Sequence, residues 1–264
     1  MRHNESTAVS TTRVLLVPYD GRHVPTYHTW MEDPAIQEAT ASEPLTLEEE
    51  HENQESWRAS HDKLTFIVCE PLPTSTTTTT SSSKDTPVQA GEADSPERMV
   101  GDINLFLYPY EDEGEDDEDE YDDDGAHPTG TPTFCVGEVD IMIAGQQHRG
   151  KGLGRAAVRA FLHYLGRNVG RIMREYAADK DMMPDAAPGL KLLMAKINRG
   201  NEGSLALFRS LGFEQEGEVN YFGEVKLVFR RLDTLAAEEP EGYAELVYSR
   251  EQSQDGKQQH EEQQ

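Results

Sequence analysis

The sequence contains little cysteine and no long apolar run. Its two cysteines, Cys69 and Cys135, each lie in a short apolar stretch typical of a strand, so neither a disulfide framework nor a cysteine-rich zinc site is supported. Asp20, His23 and His28 lack the spacing of metal ligands, and no metal is predicted. No stretch approaches the roughly twenty apolar residues of a membrane-spanning helix, and the N-terminus lacks the apolar core of a signal peptide. We therefore expect a soluble protein of the cytoplasm, or of the nucleus as well, with no membrane partner.

Basic residues are also scarce. The chain has 24 Lys and Arg against 50 Asp and Glu, and its formal net charge is −26. A nucleic acid partner would require clustered Lys and Arg, so none is predicted. The acidic charge is concentrated between Glu111 and Asp124, a run with twelve acidic residues and no basic one. Its self-repulsion keeps it out of a core, and we interpret it as a solvated insert, with a basic protein partner as the less favoured alternative.

Polar and repetitive segments divide the chain and leave room for one folded domain. We predict that this domain spans residues 13–232, after a flexible N-terminus at residues 1–12 and before an acidic disordered tail at residues 233–264. Three disordered inserts are predicted within the domain, near residues 70–98, 108–133 and 167–190.

Short apolar stretches between turn signals predict a domain of α/β class. Helix signals include the capping-box pattern of Thr46 and Glu49 and the cap residue Asn201. Helices are predicted at Val24–Met31, Thr46–Trp57, Gly152–Leu165 and Asn201–Leu211. Strands are predicted at Arg13–Pro18, Leu64–Cys69, Met99–Leu107, Phe134–Ile143, Leu192–Ile197, Phe213–Val219 and Val225–Arg230.

A glycine-rich loop, Gln147 to Gly154, connects the predicted strand Phe134–Ile143 to the helix that follows it. Its glycines let the backbone turn tightly and point consecutive N–H groups outward. The helix N-terminus adds partial positive charge, and Arg149 and Lys151 add full charges, so the loop suits a diphosphate. Coenzyme A and nucleotides both carry that group. A turn with no ligand is the less favoured alternative.

Two nucleotide-binding motifs resemble this loop but fail at a necessary position. Gly145, Gly150 and Lys151 have P-loop spacing, but Gly152 stands where Ser or Thr would hold magnesium. The dinucleotide pattern counted from Gly150 meets Arg155 at the place of its third glycine. Phosphoryl transfer and hydride transfer are therefore disfavoured.

The loop resembles the acetyl-CoA signature of the GCN5-related N-acetyltransferase (GNAT) superfamily. That signature is Arg or Gln, two residues, Gly, one residue, and then Gly or Ala, and it is met by Arg149, Gly152 and Gly154. Further matches lie on both sides of the loop. Downstream, the superfamily's second CoA-side helix and its exit are matched by Asn201, Ser204, Phe208 and Leu211-Gly212-Phe213. Upstream and at the loop, similarity to the N-acetyltransferase 9-like proteins is carried by residues 42–46, 101–107 and 138–153.

The resemblance implies a mixed central sheet flanked by helices and splayed between the strand ending near Ile143 and the strand ending near Asn198. The pantetheine arm of acetyl-CoA, the acetyl donor, would lie in that gap. Main-chain groups of the first strand would pair with the arm, amides of the loop would hold the pyrophosphate, and two side chains would line the far side. The implied cofactor-binding residues are Ile141, Met142, Ile143, Arg149, Gly150, Lys151, Gly152, Leu153, Gly154, Asn198 and Ser204.

Strand alternation places Glu138 and Asp140 on one face of the strand that would border the cleft. Acetyl transfer by direct attack needs a group that accepts a proton from the amine, and we take Glu138 as the first candidate and Asp140 as the second. Pairing of these carboxylates with a neighbouring Arg or Lys is an alternative of equal weight. In many superfamily members a tyrosine that protonates the thiolate stands where this chain has Phe208. The thiolate could instead be protonated by Tyr221 or by water, or it could leave without a protein acid, and the sequence does not decide among these.

The acceptor side of the implied cleft includes Tyr27, Trp30 and Trp57, although core packing is the favoured role for each. Carboxylates near the cleft predict a cationic acceptor, such as a protein N-terminus, a lysine or a polyamine. Analogy with protein-acetylating branches of the superfamily favours a protein or peptide. The sequence therefore predicts an acetyl-CoA-dependent N-acetyltransferase, with a catalytically weak CoA-binding interaction module as the alternative.

Overall fold

The computed structural model describes residues 1–40, 42–73, 86–110, 133–178 and 187–250, which form one ten-stranded sheet and five α-helices. The helices are α1 (Val24–Met31), α2 (Pro34–Thr40), α3 (Leu47–Ala59), α4 (Leu153–Ala178) and α5 (Glu202–Ser210). The strands are β1 (Thr7–Ser10), β2 (Leu15–Pro18), β3 (Lys63–Cys69), β4 (Val88–Gln89), β5 (Met99–Pro109), β6 (Phe134–Ile143), β7 (Gly189–Asn198), β8 (Glu214–Gln215), β9 (Glu224–Phe229) and β10 (Ala244–Ser249).

The sheet is mixed, with the strand order β4-β10-β1-β2-β3-β5-β6-β7-β9-β8. Neighbouring strands are antiparallel except for the pairs β6–β7 and β10–β4. β6 and β7 can be parallel because α4 carries the chain back along the sheet between them. The glycine-rich loop opens this crossover and lies at the carboxyl end of β6.

β6 and β7 separate part-way along their length. The last residues that they pair are Glu138 and Met194 within the described chain. Beyond that point β6 continues to Ile143 along β5, and β7 continues to Asn198 along β9. The sheet therefore opens into a V, and each arm of the V is held in place by hydrogen bonds to its outer neighbour.

The closed end of the V is packed against α4. Phe161 and Tyr164 lie one turn apart on the face of α4 that meets the sheet, and both are buried. Gly137 of β6 lies in the same layer, where a Cβ would come within 2.7 Å of Leu105 Cδ1 and 2.8 Å of Leu193 Cδ2. This close approach explains a glycine in the middle of a buried strand.

The N-terminal helices cover the other face of the sheet. Val24 of α1 packs with Leu15 and Ile67, whose side chains point away from α4. The start of α3 has the predicted capping box, because the Thr46 side chain accepts a hydrogen bond from the Glu49 amide while the Glu49 carboxylate accepts one from the Thr46 amide. α1 spans the predicted residues, and α2 was not predicted.

The expectation of a flexible N-terminus at residues 1–12 and a disordered tail from residue 233 is wrong for the parts of both ends that the structure describes. Residues 7–10 form β1, which pairs with β2 and β10, and Ala8 and Val9 are buried. The acidic tail is folded as far as residue 250, since β10 adds to the edge of β1. Residues 251–264 lie outside the described residues.

The predicted inserts also contain regular structure. Val88–Gln89 form β4, β5 continues through Tyr108 and Pro109, and α4 runs to Ala178 instead of ending at Leu165. The predicted strand Phe213–Val219 is short, because its paired part is β8 alone. The rest of the inserts lies outside the described residues, at 74–85, 111–132 and 179–186. No helix in the described part of the chain is both long and apolar enough to cross a membrane.

A buried cluster around Asp94 joins three distant parts of the chain. The Asp94 carboxylate accepts hydrogen bonds from His23 Nε2 at 2.7 Å, the Tyr248 hydroxyl at 2.5 Å and the Gly91 amide at 2.5 Å. His23 Nδ1 accepts from the Asp20 amide at 3.0 Å, so Nε2 carries the ring proton in the neutral tautomer. Burial alone would raise the pKa of Asp94, but hydrogen bonds from His23 and Tyr248 outweigh it and lower the pKa to about 2.

Candidate active site

The glycine-rich loop presents free donors at the open end of the V. Gly150 and Gly152 have φ values of +70° and +79°, a left-handed conformation that favours glycine. The N–H groups of residues 150–155 make no backbone hydrogen bond within the described chain, and the Ala156 amide is the first to bond back, to the Gly152 carbonyl at 3.0 Å. Consecutive free N–H groups at a helix N-terminus are an arrangement that binds phosphate.

Two arginine side chains donate hydrogen bonds to main-chain carbonyls in the loop or just before it. The Arg149 guanidinium donates to the carbonyls of Ile143 at 2.8 Å and Ala144 at 3.0 Å, so it braces the end of β6 and is not extended toward a ligand. Arg13 Nη2 donates to the Lys151 carbonyl at 2.7 Å. Arg149 therefore keeps its positive charge beside the loop while its donors hold the end of β6, and the Lys151 side chain is exposed.

A cleft of about 740 Å³ lies at the V, and most of the predicted site residues line it. Glu138, Asp140, Ile141 and Met142 line it from β6 and Asn198 from β7, while α5 contributes Ser204. Ile143 and the residues from Arg149 to Gly154 are not part of this lining and lie at its open end, where β6 passes into α4. The structure thus brings the two candidate carboxylates and the predicted far wall into one cavity, next to the loop.

Glu138 is held by an ion pair. Lys196 of β7 places its Nζ 2.9 Å from Glu138 Oε2, and its ammonium lies 5.8 Å from the centroid of the Tyr108 ring. Burial opposes the charge of Lys196, but the hydrogen bond and the charge of Glu138 outweigh it and raise the pKa of Lys196. The pairing that the sequence left open is therefore present for Glu138.

Asp140 differs from Glu138 because it makes no hydrogen bond or ion pair with any described residue. Burial raises the pKa of Asp140 to about 7, and the negative charges of Glu138 and Asp102 add to this effect. Lys196 acts in the opposite direction. Asp140 is thus a carboxyl group that exchanges protons near neutral pH inside the cleft.

Asp102 of β5 is a second buried carboxyl in the cleft. Burial raises the pKa of Asp102 to about 6, although hydrogen bonds from Asn104 and Tyr27 act against the shift. Asn104 Nδ2 donates to Asp102 Oδ2 at 2.7 Å. Asn104 is also the β5 residue that lies directly opposite Asp140, so these polar groups form one continuous layer across β5 and β6.

The far wall of the cleft has no hydroxyl at the position of Phe208. Asn201 caps α5, because its side chain accepts a hydrogen bond from the Ser204 amide at 3.1 Å. Phe208 is buried one turn further on, and its ring packs edge-to-face on Phe213 with 5.0 Å between the centroids. Tyr221, the alternative acid, is 97% exposed at a hairpin tip outside the cleft lining.

Aromatic side chains form the remaining rim. Trp57 and Phe106 meet edge-to-face at 5.5 Å, and both line the cleft together with Tyr27. Trp30 packs with Tyr27 in the core and does not line the cleft, as the core-packing interpretation predicts for this residue. No group of three or more His, Cys, Asp or Glu residues suited to a metal ion occurs in the described part of the chain.

Comparison with known proteins agrees with this geometry. The family model described as an acetyltransferase (GNAT) domain matches residues 13–214. The chain belongs to the GNAT acetyltransferase family. This GNAT chain is accordingly an acetyl-CoA-dependent N-acetyltransferase, and the enzyme class predicted from the sequence is confirmed.

Its curated GNAT relatives cover most of the chain. An N-acetyltransferase 9-like protein of Schizosaccharomyces pombe is 35% identical over 237 residues, which is 88% of this chain and 99% of the relative. The alpha/beta-tubulin-N-acetyltransferase 9 of Homo sapiens is 36% identical over 228 residues, or 86% of this chain and 84% of the relative. The predicted resemblance to N-acetyltransferase 9-like proteins is confirmed.

Solved structures share the GNAT fold. The aminoglycoside acetyltransferase AAC(6')-Ib in complex with paromomycin and acetyl-CoA matches with a TM-score of 0.51 at 16% identity, over 86% of this chain and 98% of that chain. The spermidine N-acetyltransferase of Vibrio cholerae, in complex with CoA and spermine, matches with a TM-score of 0.50 at 13% identity, over 84% and 98%. The predicted fold class, a splayed α/β sheet flanked by helices, is confirmed.

Three residues of the GNAT site were not singled out from the sequence. Lys196 is the one charged residue in the predicted strand Leu192–Ile197, and Asp102 is the one charged residue in the predicted strand Met99–Leu107. A single charge in a mainly apolar strand is a signal that could have identified both. Arg13 lies at the start of a predicted strand and has no such signal. It contacts the loop only through the tertiary fold.

Proposed function

We propose that this enzyme acetylates an amine of a protein by direct attack, with Asp140 as the base. The observation that carries the proposal is the Asp140 carboxyl, which lies unpaired in the cleft and has a pKa raised to about 7. A base whose pKa is near the working pH combines sufficient ionisation with sufficient basicity. Glu138, the first candidate from the sequence, is less suitable because Lys196 occupies its carboxylate.

The donor acetyl-CoA would supply an activated acetyl thioester, and the residues around the V fit such a molecule. The free N–H groups of residues 150–155 suit its pyrophosphate. The inner edge of β6 from Ile141 to Ile143 has lost its pairing with β7, so its main-chain groups are available to the pantetheine arm. Asn198 and Ser204 stand on the opposite side of the cleft.

The proposed step balances with these groups. Asp140 takes one proton from the acceptor ammonium, and the neutral nitrogen then attacks the carbonyl carbon of the acetyl group. A C–N bond forms and the C–S bond breaks, leaving an amide and a thiolate. The second nitrogen proton passes to the thiolate or to water, since Phe208 offers no proton.

A cationic acceptor fits the charge of the cleft. The described lining holds five carboxylates, namely Glu38, Asp102, Glu138, Asp140 and Glu224, and Lys196 as its one ammonium. Such a site attracts ammonium groups and repels anions. The names of the relatives in Drosophila melanogaster and Homo sapiens, which refer to α/β-tubulin, support a protein acceptor, either at an N-terminal α-amine or at a lysine.

The acceptor class is tested with three amines offered to the purified enzyme and acetyl-CoA. These are a lysine-free peptide with a free N-terminus, an N-terminally blocked peptide with one lysine, and spermidine. We expect mass spectrometry to find an acetyl group on at least one peptide at a kcat/KM well above that for spermidine. A preference for spermidine would contradict the protein acceptor and leave the transferase assignment in place.

The donor site is tested separately by thermal stabilisation. Acetyl-CoA should raise the Tm of the wild type and of Gly217→Asp, but not that of Gly152→Asp, because ligands stabilise only the form that binds them. Gly217 is a matched control, since it also has a positive φ of +74° and open space around it but lies in the β8–β9 hairpin. Equal stabilisation of all three proteins would place the donor elsewhere.

A second candidate function rests on Phe208. Because that position lacks a hydroxyl, the alternative is a catalytically weak acetyltransferase that binds acetyl-CoA and acts mainly as an interaction module. This alternative predicts normal stabilisation by acetyl-CoA together with equally low acetylation by the wild type and Asp140→Asn. A large difference between these two proteins would exclude it.

A further inference from the structure

A row of three polar side chains crosses the sheet beside the cleft. Thr65 of β3 lies directly opposite Asn104 of β5, and Asn104 lies directly opposite Asp140 of β6. Residues in such positions project from the same face of the sheet, with their Cβ atoms about 5 Å apart. Asn104 is therefore the cross-strand neighbour of the proposed base, and it is buried in the wall of the cleft.

One end of the Asn104 amide is fixed by Asp102. Asn104 Nδ2 donates to Asp102 Oδ2 at 2.7 Å, and both side chains are buried. Asp102 has a pKa of about 6, so it is mostly ionised at pH 7 and can then only accept hydrogen bonds. A reversed amide would place the Asn104 oxygen against this carboxylate, with two acceptors in contact. Asp102 therefore determines which end of the amide is left for other partners.

The oxygen end of the amide is the end that is left. Asn104 Oδ1 is buried and accepts no hydrogen bond from any residue that the structure describes. The Thr65 hydroxyl does not supply one, although it lies in the same row, because Thr65 Oγ1 is itself without a partner among the described residues. An acceptor in such a position is costly to bury, so a donor that reaches it is favoured.

Asp140 can supply that donor, but only when it is protonated. As a carboxylate it is an acceptor like Asn104 Oδ1, and the two oxygens repel each other, whereas as an acid it has one O–H to donate. Neither group has another partner for this bond in the described part of the chain. One proton on Asp140 therefore completes a hydrogen bond between two cross-strand neighbours.

We propose that Asn104 is a positioning residue of the proton transfer, which accepts a hydrogen bond from Asp140 once Asp140 has taken the proton, and that Asp102 orients Asn104 for this bond. The inference rests on the proposed function, with Asp140 as the base. In the step, an N–H bond of the acceptor ammonium breaks and its electron pair stays on nitrogen. An O–H bond forms on Asp140 and is directed at Asn104 Oδ1. A hydrogen bond to the acid form makes the carboxylate a stronger base.

Other titratable groups also lie around Asp140. They are Glu138 on β6, Asp102 and Tyr108 on β5, Lys196 on β7, Glu224 on β9, Tyr27 on α1 and Glu38 on α2. A substitution of Asn104 by a neutral residue leaves all of these groups in the chain. A shift of the pH–rate profile in such a variant therefore reports on the amide.

The experiment measures kcat/KM against pH for one peptide acceptor in the wild type, Asn104→Leu, Thr65→Val and Asp140→Asn. Asn104→Leu keeps the size of the side chain but removes its oxygen, so the acid limb should move down by about one pH unit, the effect of one neutral hydrogen bond. On the high-pH plateau, kcat/KM should fall by no more than about tenfold, because Asp140 is present but is a weaker base. Thr65→Val removes a buried, unpaired hydroxyl from the same row and should leave the limb in place.

An acid limb that stays in place or moves up in Asn104→Leu would overturn the inference. So would an equal downward shift in Thr65→Val, since the effect would then belong to the buried layer and not to the Asn104 oxygen. If Asp140→Asn kept the limb of the wild type, the proposed base would fail together with the inference. A limb that is lost in Asp140→Asn but unmoved in Asn104→Leu would remove the inference alone. Circular dichroism and Tm confirm that each variant is folded, and Asn104→Ala, which also removes the oxygen, replaces Asn104→Leu if it is not.

Discussion

Replacing Glu138 by Gln should move the acid limb of the pH–rate profile to lower pH while most of the activity at high pH is kept. Asp140 must be ionised to accept a proton, so the rate rises with pH through its pKa of about 7. Glu138 is one of the charges that raise this pKa. Its removal therefore lets Asp140 ionise at a lower pH.

The size of the shift follows from the strand geometry. Glu138 and Asp140 are two residues apart on one face of β6, which separates them by about 7 Å. Two charges at that distance interact by about 1 kcal/mol when the effective dielectric constant lies between that of a protein surface and that of water. Since 1.36 kcal/mol is one pKa unit, the limb should move down by about one unit. Lys196→Gln should move it in the opposite direction, because Lys196 lowers the pKa of Asp140.

The assay is kcat/KM for one peptide acceptor between pH 5.5 and about 9, a range that brackets the expected pKa of the base. The same peptide is used for every variant, so that its own titration cancels. Asp140→Asn should lose about 10²-fold or more in rate. Its pH–rate profile should also lack the acid limb that the Glu138→Gln change moves in the wild-type background. The reasoning is refuted if Glu138→Gln is as inactive as Asp140→Asn, or if Asp140→Asn retains the activity and limb of the wild type. The first result would return the role of base to Glu138, and the second would show that Asp140 is not the base.

Two further predictions concern the acceptor side and the stability of the fold. Tyr221→Ser/Phe222→Ser removes two aromatic side chains beside the cleft that are 97% and 77% exposed. In this double variant, kcat/KM should fall about tenfold for a protein acceptor but should not change for a small amine. Val219→Ser, from the same hairpin, is the control. Asp94→Ala should lower the free energy of unfolding by about 3 kcal/mol in urea titrations at pH 7, because His23 and Tyr248 lose their buried acceptor. The pKa of Asp94 is lowered to about 2 in the folded protein. Its contribution to the free energy of unfolding should therefore be complete above the unfolded pKa of about 4 and decline as the pH falls toward about 2. The free energies of unfolding of the wild type and Asp94→Ala should then become equal in acid.

The elements nearest the site could be predicted because their signals are local. The limits of β6 agree with its apolar pattern, and α4 begins within one residue of the predicted start. Gly150 and Gly152 have the left-handed backbone that their positions in the loop suggested. β1 and β10 were missed because each is short and becomes a strand by pairing with the other, over more than two hundred residues of chain.

For the candidate site, the sequence could predict only that two carboxylates lie on the same face of β6. Alternation placed Glu138 and Asp140 together, but it could not tell which carboxylate has a partner. That depends on Lys196, whose distance from Glu138 follows from the register of β7 beside β6. The charge balance that raises the pKa of Asp140 likewise includes Asp102 from β5, an adjacent strand whose position no local pattern supplies.

The separation of β6 and β7 accounts for both the proposed donor site and the proposed base. If the strands stayed paired to their ends, the main chain of Ile141 to Ile143 would be satisfied by β7, and Asp140 would lie next to the following β7 residues, including Lys196. Because pairing stops at Glu138, Lys196 reaches only the last paired carboxylate, and Asp140 is left alone inside the opening. The same break thus leaves a strand edge available for a ligand and one carboxyl group free to exchange a proton near neutral pH.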